Sequence, residues 1–479
     1  MNYPMIRYIL SQVLRLEAAL MLLPCVFSLL FQEMEGLYYV AVAVVCLMVS
    51  IALGSSKPKN FEVYNKDGFV AVALAWLIIS IFGAIPFVLT GEIPNYIDAL
   101  FEIVSGFTTT GASILFNVEA LSHTSLFWRS FSHWIGGMGV LVFLLILIPV
   151  KTGSRMNLMK AESPGPSVSK FVPRVRENAR ILYMIYFGLT LVELILLLLS
   201  KMNWFDAICI SVGTAGTGGF GVLNSSCGDY TSLQQWIITV FMIAFGVNFS
   251  FYYLILCKKA KVAVKMQEVR GYFLIILTAI GLLVWNNRGI IPELGNNIRI
   301  AAFQVGSIIT TTGFSTADFN QWPELSKMIL LMLMLIGACA GSTGGGMKVS
   351  RIILMVKSVR KEVQSIAHPR SVKKIKMDGQ VVEEEVLRTL NVFIITYLII
   401  FGISLLLISF DEFTLETNFS AVAATLNNIG PGLGLVGPTS NYMFFSPISK
   451  FVLIIDMLAG RLELFPILLL MLPSTWKSK

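Results

Sequence analysis

The chain has 479 residues, of which 56% are hydrophobic and 13% charged, with a formal net charge of +8. A soluble globular protein carries about twice that share of charge, and here apolar runs of roughly 20 residues, the length that crosses a bilayer as a helix, recur from end to end. A water-soluble enzyme, a disordered chain and a single-anchor receptor are excluded. The composition is that of an all-α polytopic membrane protein.

In chain order, apolar runs at about 8–31 and 37–54 form a leading hairpin, followed by the polar stretch SSKPKNFEVYNKDG at 55–68. The first run carries Arg15 and Glu17 and has no convincing cleavage site, so it reads as a membrane helix and not a signal peptide. From residue 69 one plan repeats. Long runs near 69–90 and 125–150, 181–200 and 236–257, 271–287 and 326–347, and 389–410 and 442–473 each bracket a short segment rich in Gly and Thr. About ten transmembrane helices are expected. The chain divides into a hairpin at 1–68 and repeats at 69–180, 181–270, 271–388 and 389–479.

The 36 basic residues cluster between the runs, with seven in 151–180, five in 258–270 and ten in 348–388. The positive-inside rule places these stretches, and with them both termini, on the cytoplasmic side. Arg129, Lys201, Arg288, Arg299, Lys327 and Lys450 fall to the remaining loops, and Arg461 lies inside an apolar run. Six dispersed cysteines and three histidines without ligand spacing indicate neither a disulfide framework nor a metal site.

The bracketed segments read FEIVSGFTTTGAS (101–113), AICISVGTAGTGGFG (207–221), FQVGSIITTTGFS (303–315) and FSAVAATLNNIGPGLG (419–434). They recur about every hundred residues, anchored on Gly111, Gly218, Gly313 and Gly430, a repetition that describes architecture. Each opens with an apolar stretch too short to cross the hydrocarbon core, so each reads as a re-entrant half-helix. The irregular backbone that follows cannot face lipid, where unsatisfied N–H and C=O groups cost several kcal/mol each, and must line a water-filled path. Four such copies about one axis make a pseudo-four-fold pore. Rings of backbone carbonyls suit a dehydrated alkali cation without burying a formal charge, glycine lets the chains approach closely, and the C-terminal ends of the half-helices favour cations. Threonines at 108–110, 217 and 310–312 either anchor the filter through their hydroxyls or are ordinary helix-end residues.

At TTTG (108–111), TGGF (217–220), TTTGF (310–314), NNIGPGLG (427–434), HWIGGMG (133–139), GSTGGGMK (341–348) and GRLELFP (460–466), the sequence resembles the Trk/Ktr superfamily of potassium transporters. The leading hairpin makes the Trk membrane subunit the nearer likeness. The resemblance implies a potassium filter formed by Gly111, Gly218, Gly313 and Gly430 together with Thr110, Thr217, Thr312 and Ile429. It also implies a bacterial inner-membrane homodimer, a cytoplasmic nucleotide-binding regulatory subunit, potassium as the transported ion and no organic cofactor. Within that resemblance, the all-glycine anchors imply potassium over sodium. Asn427 and Asn428 replace the threonines of the first copy, so the symmetry is approximate.

The run GACAGSTGGGMK (337–348) puts five glycines in one predicted span, each costing about 1 kcal/mol in a helix interior. It reads as an unwound gate loop at Gly341, Ser342, Thr343, Gly344, Gly345 and Gly346, or else as close helix packing of the GxxxG kind. A lipid-facing Arg461 would cost several kcal/mol. It pairs with Asp456 or Glu463, or, as the resemblance implies, stands in the pore against the gate loop. The basic stretch 348–388 is either solvated charge near lipid headgroups or the docking surface for the regulator. Two GxGxxG strings (216–221, 432–437) lack the strand, helix and acidic residue of a dinucleotide site, and a membrane enzyme would need a convergent set of polar residues that is missing. Neither nucleic acid nor nucleotide is expected to bind this chain. The rival to a channel-like path is a transporter coupled to sodium or protons.

Overall fold

The computed structural model describes residues 1–55, 58, 63–139, 175–370 and 373–476. The expected cytoplasmic segment 151–180 and the end of the run at 125–150 lie largely outside the described residues. The leading hairpin is α1 (Tyr3–Leu20) continued by α2 (Leu22–Phe31), turned back on α3 (Gly36–Gly54).

Four units of one plan follow. Each starts with a long helix: α4 (Asn65–Leu89), α7 (Val175–Leu199), α11 (Gln267–Asn287) or α15 (Glu384–Ile408). Each continues with a short one: α5 (Tyr96–Phe107), α8 (Trp204–Gly216), α12 (Leu294–Ile309) or α16 (Leu415–Leu426). The third element is α6 (His123–Gly137), α9 (Ser232–Phe245) with α10 (Phe249–Leu256), α13 (Glu324–Ile336), or α17 (Pro447–Arg461) with α18 (Phe465–Met471). Between α13 and α15 lie α14 (Val349–Ala367) and a small hairpin of β1 (Lys376–Met377) and β2 (Gln380–Val381).

Burial separates the roles of these helices. Only 22% of the apolar window of α7 and of α15 is buried in the protein, leaving rows such as Leu398, Ile399, Ile403 and Leu406 to face lipid. The short helices are enclosed: in α5 every residue from Phe101 to Phe107 is buried. Their starts are fixed by side chains that take up otherwise orphaned N–H groups, with Asn95 accepting from Ile97, Asn203 from Phe205 and Thr414 from Thr417. The third element of each unit packs on the short helix of the next: α6 on α8, α9 on α12, α13 on α16, and α17 back on α5. The packing closes into a ring, and the leading hairpin sits outside it against α4 and α6.

Three of the expected apolar runs are broken or cut short in the structure, and several of the cations expected in loops are helical. Among the described residues six helices are long and apolar enough to cross a membrane, or seven with the α9/α10 pair, which bends by 91°. The run at 236–257 breaks at Gly246 to Asn248, the run at 326–347 ends at Ile336, and the run at 442–473 breaks between Arg461 and Phe465. Apolar composition continues across these breaks, so hydropathy does not register them. Arg129, Arg299, Lys327 and Lys450 are helical and not in loops. Lys450 is buried with Asp98 at 2.6 Å, which ties α17 to the first turn of α5.

Glu33, in the turn between α2 and α3, accepts from His123 N–H (2.8 Å), Thr124 N–H (3.0 Å) and the Thr124 hydroxyl (2.7 Å), and so caps α6. Partial burial works to raise its pKa, but the Thr124 and His123 hydrogen bonds outweigh it and hold the group below its ordinary 4.5. A lowered carboxylate pKa contributes stability that is present above the ordinary value and lost as pH falls through the folded one. Acidification through this window is expected to lower the thermal midpoint of the purified protein by roughly 2 °C more than that of Glu33→Gln. Parallel curves for the two proteins would refute this.

Candidate functional site

Each short helix ends in the same turn. The N–H of Thr109 bonds to Gly106 C=O (3.0 Å) and that of Thr110 to Ser105 C=O (2.8 Å). The pair recurs as Thr217 to Thr214 with Gly218 to Gly213, as Thr311 to Ile308 with Thr312 to Ser307, and as Asn428 to Thr425 with Ile429 to Ala424. Bonds from position 5 to 2 and from 6 to 1 are the Schellman cap, which requires a left-handed residue between helix and extension. That residue is Thr109, Thr217, Thr311 or Asn428, with φ between 54° and 59°, an unusual conformation for the three β-branched threonines and a common one for asparagine.

A second left-handed residue follows two positions later, at Gly111, Gly219, Gly313 and Gly430 (φ 78° to 95°). The second copy therefore differs by one residue from the expected register. Thr217 occupies the cap position that Thr109 holds in the first copy, Gly218 corresponds to Thr110, and Gly219, not Gly218, is the turn glycine. Two adjacent glycines make the register ambiguous in sequence; the hydrogen-bonded end of α8 resolves it.

These glycines meet in a ring. A Cβ at Gly111 would strike the carbonyl oxygen of Gly218, one at Gly219 that of Thr312, one at Gly313 that of Ile429, and one at Gly430 that of Thr110. The four contacts visit each repeat once and return to the start. All four turn glycines also line a single cavity. Threonine hydroxyls pair within the turns, Thr108 with Thr110 (2.8 Å) and Thr310 with Thr312 (2.7 Å), and Asn428 Nδ2 donates to Thr110 Oγ1 (3.0 Å) across the junction of the fourth and first repeats.

A buried frame holds the turns from behind. Glu102 on α5 accepts from Arg129 Nε (2.6 Å), the Ser113 hydroxyl (3.0 Å) and Ile114 N–H (2.9 Å). Arg129 on α6 also donates to Gly221 C=O (3.2 Å) and stacks over Phe220 at 3.9 Å. One ion pair thus fixes the backbone after both the first and the second turn. His133 Nε2 accepts from Phe220 N–H (3.2 Å), so by partner its proton lies on Nδ1, which faces Gly106 C=O at 2.8 Å. Sequence reasoning assigns Arg129 to a loop, finds no ligand spacing among the histidines and gives Glu102 no role. A cation and a carboxylate in neighbouring apolar segments were the available signal, since neither is buried alone without large cost.

Below the turns, residues 337–348 leave the helix, with left-handed backbone at Gly337, Gly341, Gly346 and Lys348. Gly345 N–H donates to Thr311 Oγ1 (2.6 Å), and Gly344 lies against the Thr310 carbonyl. Lys348 Nζ folds back onto Gly344 C=O. Arg461, at the end of α17, donates to Thr343 C=O in this loop (2.8 Å) and to Gly136 and Gly137 C=O at the end of α6 (2.6 and 2.7 Å). The two carboxylates expected beside it are engaged elsewhere: Asp456 accepts from Ser404 (2.6 Å) and Glu463 pairs with Arg351. Gly341, Ser342, Thr343, Gly344, Gly345, Gly346 and Arg461 are therefore brought together directly beneath the ends of α12 and α16.

Residues 39–478 match the family model TrkH, described as a cation transport protein. The chain belongs to the TrkH family. Relatives of this family named Trk system potassium uptake protein include TrkH of Salmonella typhimurium, 35% identical with all of both chains covered. TrkG of Escherichia coli strain K12 is 30% identical over 96% of this chain and 95% of its own. The crystal structure of the potassium transporter TrkH from Vibrio parahaemolyticus superposes with a TM-score of 0.89 at 32% identity, covering both chains fully. Membership places this chain among multi-pass membrane transport proteins and not among enzymes.

Removing one partner of the buried Glu102–Arg129 pair leaves an uncompensated charge, so Arg129→Leu alone should cost about 3–5 kcal/mol. The double variant Glu102→Leu/Arg129→Leu should regain a large part of that loss in thermal unfolding. Additive losses in the two single variants would show that the pair is not coupled.

Proposed function

We propose that this protein takes up potassium through a single-chain pore whose selectivity filter is the ring of four turns. The observation that carries the reading is the cyclic contact of each turn glycine with the carbonyl preceding the next. In this reading potassium is held by the carbonyls of Thr110 and Gly111, Gly218 and Gly219, Thr312 and Gly313, and Ile429 and Gly430. Thr217 serves as the cap of α8. Carbonyl rings replace the hydration shell of the ion, and the half-helix C-termini, each worth roughly half a negative charge, favour a cation at the centre.

The loop at 341–346 is the gate, closing the path beneath the filter, and Arg461 places a fixed positive charge against it to oppose resident cations. A full assembly of ten spans, the leading hairpin and four pore repeats with boundaries at 68, 180, 270 and 388 accounts for the repeated plan. Both termini are then cytoplasmic, in the bacterial inner membrane. Relatives carry the name Trk system potassium uptake protein, which supports potassium as the ion and a system of more than one component. The partner in this reading is a cytoplasmic nucleotide-binding regulatory subunit acting on a membrane homodimer. The basic helix α14 and the hairpin that follows it offer its docking surface.

In planar bilayers under opposed potassium and sodium gradients, current through the wild type should reverse near the potassium equilibrium potential. Gly111→Ser and Gly219→Ser should each reduce the potassium preference by about tenfold or more, the effect of roughly 1.4 kcal/mol at one site. Deleting Gly341 to Gly346 should raise flux. A non-selective wild-type current, or flux only with a sodium or proton gradient, overturns the channel reading in favour of coupled transport.

A further inference from the structure

The two ends of the glycine-rich loop meet at one buried carboxylate, Glu268, in the first turn of α11. Its Oε1 accepts from Ala340 N–H (2.7 Å), just after the chain leaves α13, and from Ser350 N–H (3.1 Å), where it enters α14. Its Oε2 accepts from Asn248 Nδ2 (3.4 Å), in the break between α9 and α10. Backbone bonds reinforce this neck: Val349 N–H to Ala338 C=O (3.0 Å), Cys339 N–H to Gly246 C=O (3.1 Å) and Phe249 N–H to Gly341 C=O (3.0 Å). A loop whose glycines permit many conformations is thereby closed at its base by a single charged acceptor belonging to neither flanking helix.

We propose that Glu268 is the clasp of the gate loop, a positioning residue that holds residues 339–348 under the filter and must release Ala340 or Ser350 for the loop to swing aside. The inference rests on the gate reading above. A carboxylate accepting two backbone N–H groups makes charge-assisted bonds, roughly twice as strong as neutral ones, and the Ser350 N–H lies at the N-terminus of α14, where negative charge is favoured. Asn248 couples the clasp to the broken third element of the second repeat, so release at Glu268 would be felt on both sides of the loop.

Cys339 lies in the neck and is buried, which gives a built-in reporter. In full-length protein carrying Cys257→Ser, which removes the exposed thiol, modification by a methanethiosulfonate reagent can be followed at each remaining cysteine by mass spectrometry. Glu268→Ala should speed modification of Cys339 about tenfold, the scale set by losing a hydrogen-bonded charged acceptor. Buried Cys46, Cys209 and Cys227, which take no part in the bonds of the clasp, should keep the wild-type rate, which general loosening of the fold would not allow. Potassium efflux from proteoliposomes should rise in parallel with unchanged preference over sodium, because Glu268 makes none of the filter contacts. Glu268→Gln, which keeps the volume and an acceptor oxygen, should show a smaller rise and carries the test if the alanine variant does not fold. An accelerated Cys339 with unaltered efflux keeps the clasp and removes the gate reading. A Cys339 rate equal to wild type in both variants, or equal acceleration at all cysteines, overturns the clasp.

Discussion

The interaction on which the rest depends is the close approach of a turn glycine in one repeat to a carbonyl oxygen in the next. No side chain fits between them, since a Cβ at any of the four positions would overlap the neighbouring carbonyl. The contact tolerates only glycine, and only where the preceding helix ends with a left-handed cap that aims the extension inward. The four Schellman caps are therefore part of the site. They set which residue turns, and through it which carbonyls form the ring.

That constraint explains where the polar residues of an otherwise apolar protein are spent. Backbone that leaves the helix inside a membrane needs partners that water cannot supply. Glu102 and Arg129 provide them behind the first and second turns, His133 bridges α5 to Phe220, Tyr442 donates its hydroxyl to Gly430 C=O (2.7 Å), and Asn428 joins the fourth copy to the first. The approximate symmetry of the sequence becomes asymmetry of support: each turn is held by different side chains around a common backbone geometry.

The third element of every described repeat beyond the first is interrupted at a comparable place, at Gly246 to Asn248, at Gly337 and at Leu462 to Leu464. The freed carbonyls and N–H groups of these breaks bind one another and a few charged side chains, among them Arg461 at Thr343 C=O and Glu268 at the Ala340 and Ser350 N–H groups. A layer of irregular backbone thus lies under the ring.

The sequence by itself determined the membrane class and displayed the recurring Gly- and Thr-rich segments and the glycine-rich loop. Each of these is written in local composition, as an apolar length or a cluster of residues with unusual backbone freedom. Three features were decided only by the tertiary structure. In TGGF the choice between Gly218 and Gly219 depended on where α8 stops its hydrogen bonds and on the carbonyl that Thr312 presents from another repeat. The breaks in the third elements were hidden because apolar residues continue through them. Arg129 beside Glu102, and Glu268 beside Ala340 and Ser350, are separated by 27, 72 and 82 residues. Periodicity reports what a segment buries, whereas the partner of a buried charge is fixed by how distant segments pack.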